Sequence, residues 1–237
     1  TSIKSAVEVL ENSVDEDARA RLLAIIKDDI GRLDRLIGDI SDASRLDAEL
    51  ARSEAVPLDL IPLCETLIDI SRTTSPGDRD REDAPDFELV VENEPGVRHR
   101  GLTDGQPLVG DALIVPGLKD RLGQVLRNLL DNAASFSPPG GMVRLRVVDA
   151  GDTVRLIVED DGPGIPAGKF EAVFDRFYSE RPETEAFGVH SGLGLSISEQ
   201  IVEAHNGSIT ASNRTDGQGR ILGASFQVRL PKFASGD

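Results

Sequence analysis

Two asparagines four positions apart are the first residues whose spacing suggests chemistry. Asn128 and Asn132 lie in the segment LKDRLGQVLRNLLDNAAS, whose apolar residues recur with a helical period. Both amides would therefore project from one face of a helix, one turn apart. Asparagine is a poor helix-interior residue, and its carbonyl oxygen suits a hard cation such as Mg²⁺. Capping or simple exposure would also explain the pair, so by itself it leaves both interpretations open.

An acidic, glycine-rich turn follows a strand-like run. The segment TVRLIVED leads directly into DGPGIP, which places Asp160 at a strand end beside Gly162 and Gly164. A carboxylate there can accept a hydrogen bond from an exocyclic amine, while the glycines let the backbone approach a flat ring. Because Asp-Gly and Pro-Gly pairs also form ordinary turns, this segment alone favours a plain turn.

A third motif, SGLGL at 191–195, precedes a helical pattern. It places glycines and backbone N–H groups at a helix N-terminus, which is a favourable position for phosphate. The motif has neither the lysine of a P-loop nor the spacing of a dinucleotide-binding turn. The preceding segment, 167–191, has little periodicity and contains FDRFY, which predicts a lid, a small hydrophobic plug, or both.

The elements that position these motifs are predicted to form an α+β fold. Helical patterns fall at about 58–71, 118–135 and 195–206, the last ended by Gly207. Strand patterns fall at 87–93, 142–149, 153–160, 208–213 and 224–231, and Ala150-Gly151-Asp152 joins the second and third as a hairpin. We expect a mixed sheet with helices stacked on one face, a two-layer α/β sandwich.

The N-terminal 50 residues have a different pattern. Apolar residues spaced three and four apart over about 16–50 predict a long amphipathic helix, after a first helix already under way at Thr1. One neighbour cannot cover both stripes of such an antiparallel hairpin, so we expect a homodimer through a four-helix bundle; packing against the rest of the chain is the alternative. The predicted domains are 1–50, a linker at 51–56, and 57–233.

Composition limits the partners. The chain has 42 acidic and 26 basic residues and a formal net charge of -16, which argues against binding to nucleic acid or anionic lipid. No apolar run reaches the length of a membrane span, so no membrane contact is expected within these residues. The single cysteine, Cys64, excludes an internal disulfide, and its apolar neighbours predict a buried thiol.

The order of the motifs is far more specific than any one of them. NLLDNA, DDGPGIP, FDRFY and SGLGLSI resemble the N, G1, F and G2 boxes of sensor histidine kinases, which share the Bergerat ATP-binding fold with Hsp90, gyrase and MutL. The resemblance covers about 58–231, and the hairpin resembles the dimerisation and phosphotransfer helices of those kinases. It implies a bacterial two-component kinase on the cytoplasmic side of an inner membrane, which transfers the γ-phosphoryl group of Mg-ATP to a stalk histidine for relay to a response-regulator aspartate.

The resemblance also implies residue roles. Asn132 would coordinate Mg²⁺ with Asn128 assisting, as the catalytic pair, and Asp160 would recognise the adenine amine. The other residues implied in ATP binding are Phe136, Gly162, Gly164, Ile165, Arg176, Phe177, Ser191, Gly192, Leu193, Gly194 and Leu195.

Some positions depart from the family pattern. Ser135 stands where a basic residue is common, and Val189-His190 stands where Gly-Gly is common. We expect His190 to be a solvated loop residue and His205 to be structural. No histidine lies in the N-terminal hairpin, so the acceptor is expected about seven residues before the first residue of the chain.

Relatives that hydrolyse ATP carry a carboxylate at the position of Asn128. An amide there removes a general base and favours transfer to a nitrogen nucleophile over water. A nucleotide-gated ATPase clamp and a non-catalytic dimeric scaffold are the alternative hypotheses.

Overall fold

The computed structural model describes residues 54–73, 84–93, 97–99, 113–178 and 192–233. In the N-terminal region it describes four isolated residues, Arg19, Leu23, Ile26 and Ile30, each of which is helical. The rest of the predicted hairpin lies outside the described residues, and the predicted domain boundary stays a prediction.

Strands and helices alternate along the described part of the chain. The strands are β1 (Val56–Asp59), β2 (Asp86–Asn93), β3 (Val97–His99), β4 (Ile114–Gly117), β5 (Met142–Asp149), β6 (Thr153–Glu159), β7 (Ser208–Thr215) and β8 (Ile221–Pro231). The helices are α1 (Leu60–Thr73), α2 (Lys119–Phe136) and α3 (Gly194–Ala204), with a short 3₁₀ helix at Ala172–Phe174.

Six of these strands form one mixed sheet, in the order β3-β2-β5-β6-β8-β7. The pair β2–β5 is parallel, and the other neighbours are antiparallel. Alternation along β5 separates the two faces of the sheet: Val143, Leu145 and Val147 are fully buried, whereas Arg144 and Arg146 are half-buried on the opposite face. The α2 helix packs against α1, α3 and the central strands, so the predicted α+β sandwich is confirmed.

A second, two-stranded sheet was not predicted. β1 and β4 pair antiparallel, with Val56 opposite Gly117. The start of α1 was predicted too early, at about residue 58. The helix begins at Leu60, because Asp59 caps it by accepting a hydrogen bond from the Ile61 N–H at 3.1 Å.

The α3 helix ends near the predicted position, but a different residue makes the turn that ends it. Asn206, not Gly207, adopts the left-handed conformation, with φ of 56°, and the Gly207 N–H donates to the Val202 carbonyl at 2.9 Å. Gly207 is needed instead for close packing, because a β-carbon there would overlap the Arg229 carbonyl. The turn at Gly151, with φ of 77°, forms the predicted hairpin between β5 and β6.

The buried cysteine is confirmed. Cys64 is fully buried on α1, and burial, followed by the charges of Glu65 and Asp59, raises the pKa of its thiol far above the usual range. Within the described ranges, no helix has both the length and the apolar character that crossing a membrane requires.

Candidate functional site

The asparagine pair lies on the side of α2 that faces α3. Asn128 and Asn132 are half-buried beside the fully buried Leu129 and Leu130. The Asn128 Nδ2 donates to the Gly194 carbonyl at 3.0 Å and to the Ser198 Oγ at 3.2 Å. No hydrogen bond among the described residues engages its Oδ1, so the carbonyl oxygen is the atom available to a ligand. The structure therefore joins the first motif to the third, 66 residues later.

A buried histidine fixes the other end of the same helix pair. His205 accepts a hydrogen bond from the Leu118 N–H at Nε2, at 3.0 Å, and its Nδ1 lies 2.7 Å from the Ile201 carbonyl. These two bonds require the neutral ring with its proton on Nδ1. Since Leu118 immediately precedes α2, His205 has the predicted structural role: it holds the start of α2 against the end of α3.

The carboxylate predicted to recognise adenine is held rigidly. Asp160 follows β6 and is only 2% exposed. Its Oδ1 accepts hydrogen bonds from the Gly162 and Ala224 N–H groups, both at 2.9 Å, and no described residue bonds to Oδ2. Burial raises the pKa of Asp160, although the two amides and the Arg214 charge oppose that rise. One oxygen is thus fixed by the backbone, and the other remains available to an amine.

The two glycines after Asp160 permit close backbone approach. A β-carbon at Gly162 would lie 2.7 Å from the Phe136 carbonyl oxygen, so the loop passes directly over the end of α2. Gly164 has φ of 77°, and a β-carbon there would lie 2.5 Å from the Ile221 Cγ2. Neither contact leaves room for a side chain. The second motif therefore lies against the first, at Phe136.

Ile165 has a different setting from the other predicted site residues. Its side chain is 6% exposed and belongs to the hydrophobic core. Its backbone N–H and carbonyl are both bonded to Asn213. Any contribution of Ile165 to nucleotide binding would come from placing the loop, and its predicted contact with the nucleotide stays a prediction.

Sequence reasoning missed two residues that hold this loop, Asn213 and Arg214 on β7. The Arg214 Nη1 donates to the Asp160 carbonyl at 2.5 Å and to the Asp161 Oδ1 at 2.8 Å. Burial would raise the pKa of Asp161, but hydrogen bonds from Arg214 and the Met142 N–H, with the charges of Arg144 and Arg214, bring it below its usual value. Asn213 ends the predicted strand 208–213 and Arg214 follows it; polar residues there indicate only a solvated face, so the sequence held no signal for this role.

The third motif begins α3. Leu193 is buried, Gly194 is the first residue of the helix, and Leu195 packs on the core. A β-carbon at Gly194 would lie 3.5 Å from the Asn128 Cγ, so even this glycine borders the asparagine pair. The N-terminus of a helix thus lies beside the candidate metal ligands, which is the arrangement predicted for phosphate. Ser191 lies outside the described residues.

Segment 167–191 is described up to residue 178. The Phe174 ring packs edge-on against Phe226 of β8, with centroids 6.3 Å apart, and Tyr178 also packs on the core. Arg176 and Phe177 are exposed, and Phe177 is 64% exposed with φ of 66°. The aromatic cluster is therefore partly a plug and partly a solvent-facing surface.

Phe177, within this segment, contacts the third motif. The Phe177 N–H donates to the Gly192 carbonyl at 2.9 Å. Gly192 has φ of 70°, and a β-carbon there would lie 2.9 Å from the Phe177 Cα. The segment FDRFY, a fourth motif, is thereby brought against the third, so each of the four motifs contacts at least one of the others.

Comparison with known proteins agrees with this arrangement. Residues 117–234 match the family described as histidine kinase-, DNA gyrase B- and HSP90-like ATPase. Sensor protein ChvG of Agrobacterium fabrum is 45% identical over 232 residues, which are 98% of this chain and 36% of that protein. The chain thus spans about a third of the length of this curated relative.

Solved structures share the fold. The mycobacterial sensor histidine kinase MprB is 28% identical, with a TM-score of 0.55 over 75% of this chain and 97% of that one. The histidine kinase ThkA, solved in complex with the response regulator protein TrrA, is 20% identical, with a TM-score of 0.63 over 98% of this chain and 59% of that one. At that identity the second likeness concerns the fold alone.

Residues 117–234 therefore form a domain of the histidine kinase-, DNA gyrase B- and HSP90-like ATPase family. Within this family it is a catalytic domain of the bacterial two-component sensor kinase type, as the order of its motifs predicted.

Proposed function

We propose that this chain binds Mg-ATP and is the catalytic region of a protein-histidine kinase. In the reaction, the bond between the γ-phosphorus and the bridging oxygen of ATP breaks, and a bond from that phosphorus to an imidazole nitrogen of a stalk histidine forms. The phosphoryl group would then pass to an aspartate of a response-regulator receiver domain. By likeness to the sensor kinases, these residues would lie on the cytoplasmic side of a bacterial inner membrane.

One observation carries the nucleotide part of this proposal: each motif contacts at least one of the others although they are separated in the sequence. Asn128 bonds to Gly194, Gly162 lies against the Phe136 carbonyl, and Phe177 bonds to Gly192. Asp160, buried with one oxygen fixed, supplies an acceptor for the adenine amine at one end of this group. The N-terminus of α3 supplies amide donors for phosphate at the other.

The candidate Mg²⁺ ligands are the amide oxygens of Asn128 and Asn132. The Asn128 amide is already oriented by its two donated hydrogen bonds, which leaves its Oδ1 as the donor atom to a cation. Neutral oxygens of this kind suit Mg²⁺, which completes its octahedron with phosphate and water oxygens. When bound, the ion would neutralise charge on the transferring phosphoryl group.

The remaining residues would position rather than react. Phe136 and the glycines of the second motif would border the base, and Arg176 and Phe177 would contact the nucleotide from segment 167–191. An amide at position 128 cannot take a proton from water, which favours transfer to a histidine over hydrolysis. Productive transfer then depends on alignment of ATP with the acceptor.

Dimerisation through the N-terminal helices is part of the proposal. Leu23 and Ile30 are helical and are 52% and 49% exposed in the single chain. Their spacing places both on one helix face, and a second copy would bury that apolar stripe. In the dimer, one catalytic domain would act on a histidine carried by these helices.

Calorimetry tests the nucleotide site directly. ATP is titrated into the chain with Mg²⁺ and again with excess chelator, for the wild type, Asn132→Ala and the matched control Lys119→Ala, which changes an exposed residue of the same helix. We expect Asn132→Ala to weaken Mg-ATP binding about tenfold and to reduce the dependence of the affinity on Mg²⁺. Unchanged Mg²⁺ dependence would reject the metal role, and no binding by the wild type would reject the nucleotide site.

Phosphotransfer is tested separately in the full-length protein. Incubation with γ-³²P-labelled ATP should give an acid-labile phosphoprotein labelled on one histidine. Release of inorganic phosphate without such a product would favour the ATPase clamp instead.

A further inference from the structure

We infer that Asn213 and Arg214 form a clamp that positions the loop 160–165 and thereby sets the orientation of the Asp160 carboxylate toward the base. The clamp makes both residues positioning residues for nucleotide recognition, and the inference rests on the proposed binding of ATP. The clamp would affect selectivity for adenine indirectly, because neither residue would contact the base.

The first half of the clamp is a side-chain amide paired with a peptide group. The Asn213 Oδ1 accepts from the Ile165 N–H at 2.7 Å, and its Nδ2 donates to the Ile165 carbonyl at 2.8 Å. The two bonds fix the amide orientation and satisfy both backbone groups of a half-buried turn. A β-carbon at Gly164 would lie 2.8 Å from the same Oδ1, so the neighbouring glycine is what allows this approach.

The second half holds the other end of the loop. Arg214 donates to the Asp160 carbonyl and to the Asp161 carboxylate from a single nitrogen, Nη1. The loop crosses β8 at Gly223 to reach β7, since a β-carbon at Gly223 would overlap the Asp160 carbonyl. The loop is thus held by β7 at both of its ends, residues 160 and 165.

The register of β7 and β8 places this clamp beside the carboxylate. Asn213 lies opposite Ala224, whose N–H bonds to the Asp160 Oδ1, and Arg214 lies opposite Gly223. The register shifts between Arg214 and Thr215. An irregularity of this kind changes the direction of a side chain, and here it occurs at the residue that reaches the loop. The same short stretch of β7 and β8 therefore fixes both the carbonyl and the carboxylate of Asp160.

The test compares Asn213→Ala with Ser212→Ala, the matched control, because Ser212 is the exposed neighbour on the same strand. Affinities for ATP and for GTP are measured by calorimetry on the whole chain with Mg²⁺, and exchange of the Ile165 amide is followed by mass spectrometry or NMR. We expect Asn213→Ala to weaken ATP binding about tenfold, to reduce the preference for ATP over GTP, and to accelerate exchange at Ile165. Ser212→Ala should match the wild type in all three.

A merely structural role would lower Tm without changing the preference between the two nucleotides. The inference would be overturned if the Asn213→Ala variant folds and retains the wild-type affinity for ATP and the wild-type preference for ATP over GTP. Should that variant fail to fold, Asn213→Asp replaces it, since it keeps the acceptor for the Ile165 N–H and puts a carboxylate oxygen in place of the donor to the Ile165 carbonyl; an unchanged preference there would also overturn the inference. Arg214→Met provides the independent test of the other half and should reduce the same preference.

The failure of the proposed function has a different signature. If the wild type binds no ATP, the proposed function is rejected. Exchange of the Ile165 amide then tests the clamp on its own. A slow Ile165 amide in the wild type and in Ser212→Ala, and a fast one in Asn213→Ala, would retain the clamp; equal exchange in all three would remove it.

Discussion

Asp160→Asn exchanges one buried atom and should change nucleotide preference without loss of stability. The asparagine Oδ1 can still accept from the Gly162 and Ala224 N–H groups. The atom that changes is Oδ2, the oxygen available to the adenine amine, which becomes an amide donor. Two donors would then face each other at the base.

The magnitude follows from the lost acceptor. A hydrogen bond to a charged, buried carboxylate contributes about 2–3 kcal/mol once the unpaired donor is included, which corresponds to roughly 30- to 160-fold in the Kd for ATP. Guanine carries a carbonyl where adenine carries its amine, so the new amide donor should improve the relative binding of GTP. The ratio of the two affinities should therefore change more than either affinity alone.

Asp160→Asn should weaken ATP binding but should not lower the free energy of unfolding. Burial raises the pKa of Asp160 above its ordinary value of 3.8, so the folded chain binds its proton more tightly than the unfolded chain does. The free energy of unfolding therefore falls as the pH rises through the interval between these two pKa values. Asparagine removes this fall, and we expect Asp160→Asn to be at least as stable as the wild type at neutral pH.

Calorimetry with ATP and GTP, together with denaturant unfolding at several pH values, measures all three effects. Asp152→Asn is the control, because Asp152 is an exposed carboxylate just before β6, at the end of that strand remote from the loop 160–165. Equal ATP affinity in the wild type and Asp160→Asn, or an unchanged ratio of ATP to GTP affinity, would refute the assignment of adenine recognition to Asp160.

Three further predictions concern the surrounding structure. Gly168→Ala should destabilise the fold by about 1–2 kcal/mol, because its φ is 78°, and Gly164→Ala by more, because its φ is 77° and its β-carbon would also overlap Ile221. Only Gly164→Ala should weaken ATP binding, since a β-carbon at Gly168 meets nothing within 4 Å. His205→Ala should lower the free energy of unfolding by about 1–3 kcal/mol, measured by denaturant titration, because the Leu118 N–H loses its acceptor. Cys64 should not react with a disulfide reagent at neutral pH until the chain is unfolded, because burial raises the pKa of its thiol.

Each of these has its own contrary result. Equal ATP binding by the two alanine variants at Gly164 and Gly168 would mean that the loop does not border the nucleotide. For His205 the matched control is Glu203→Ala, an exposed change near the end of α3, and equal stability of the two variants would contradict the role of His205 in holding the start of α2. Rapid labelling of Cys64 in the native protein would show that α1 opens readily.

The long periodic elements could be predicted from the sequence. The helix predicted at 118–135 is Lys119–Phe136, and the strand predicted at 142–149 is Met142–Asp149. Both have an unbroken pattern of buried positions, so periodicity alone places them. Asp160, the glycines and the asparagine pair could be found as well, because their order along the chain is specific.

The small sheet could not be predicted, for a physical reason. β1 and β4 each have four residues, and each contains a proline, Pro57 or Pro116. Proline within a run argues against a strand, and the two segments are strands only because each pairs with the other across a long stretch of sequence. Asn213 and Arg214 were missed similarly, since their partners lie 48 and 54 residues away.

Phe177 carries an evolutionary implication. Its left-handed backbone and its 64% exposed ring both disfavour the folded monomer, since a non-glycine residue at positive φ costs about 1–2 kcal/mol and the ring gains little from burial. Glycine at this single position would relieve the backbone, so the chain forgoes stability that one substitution could provide. The stability of the fold therefore does not explain why phenylalanine stands at this position.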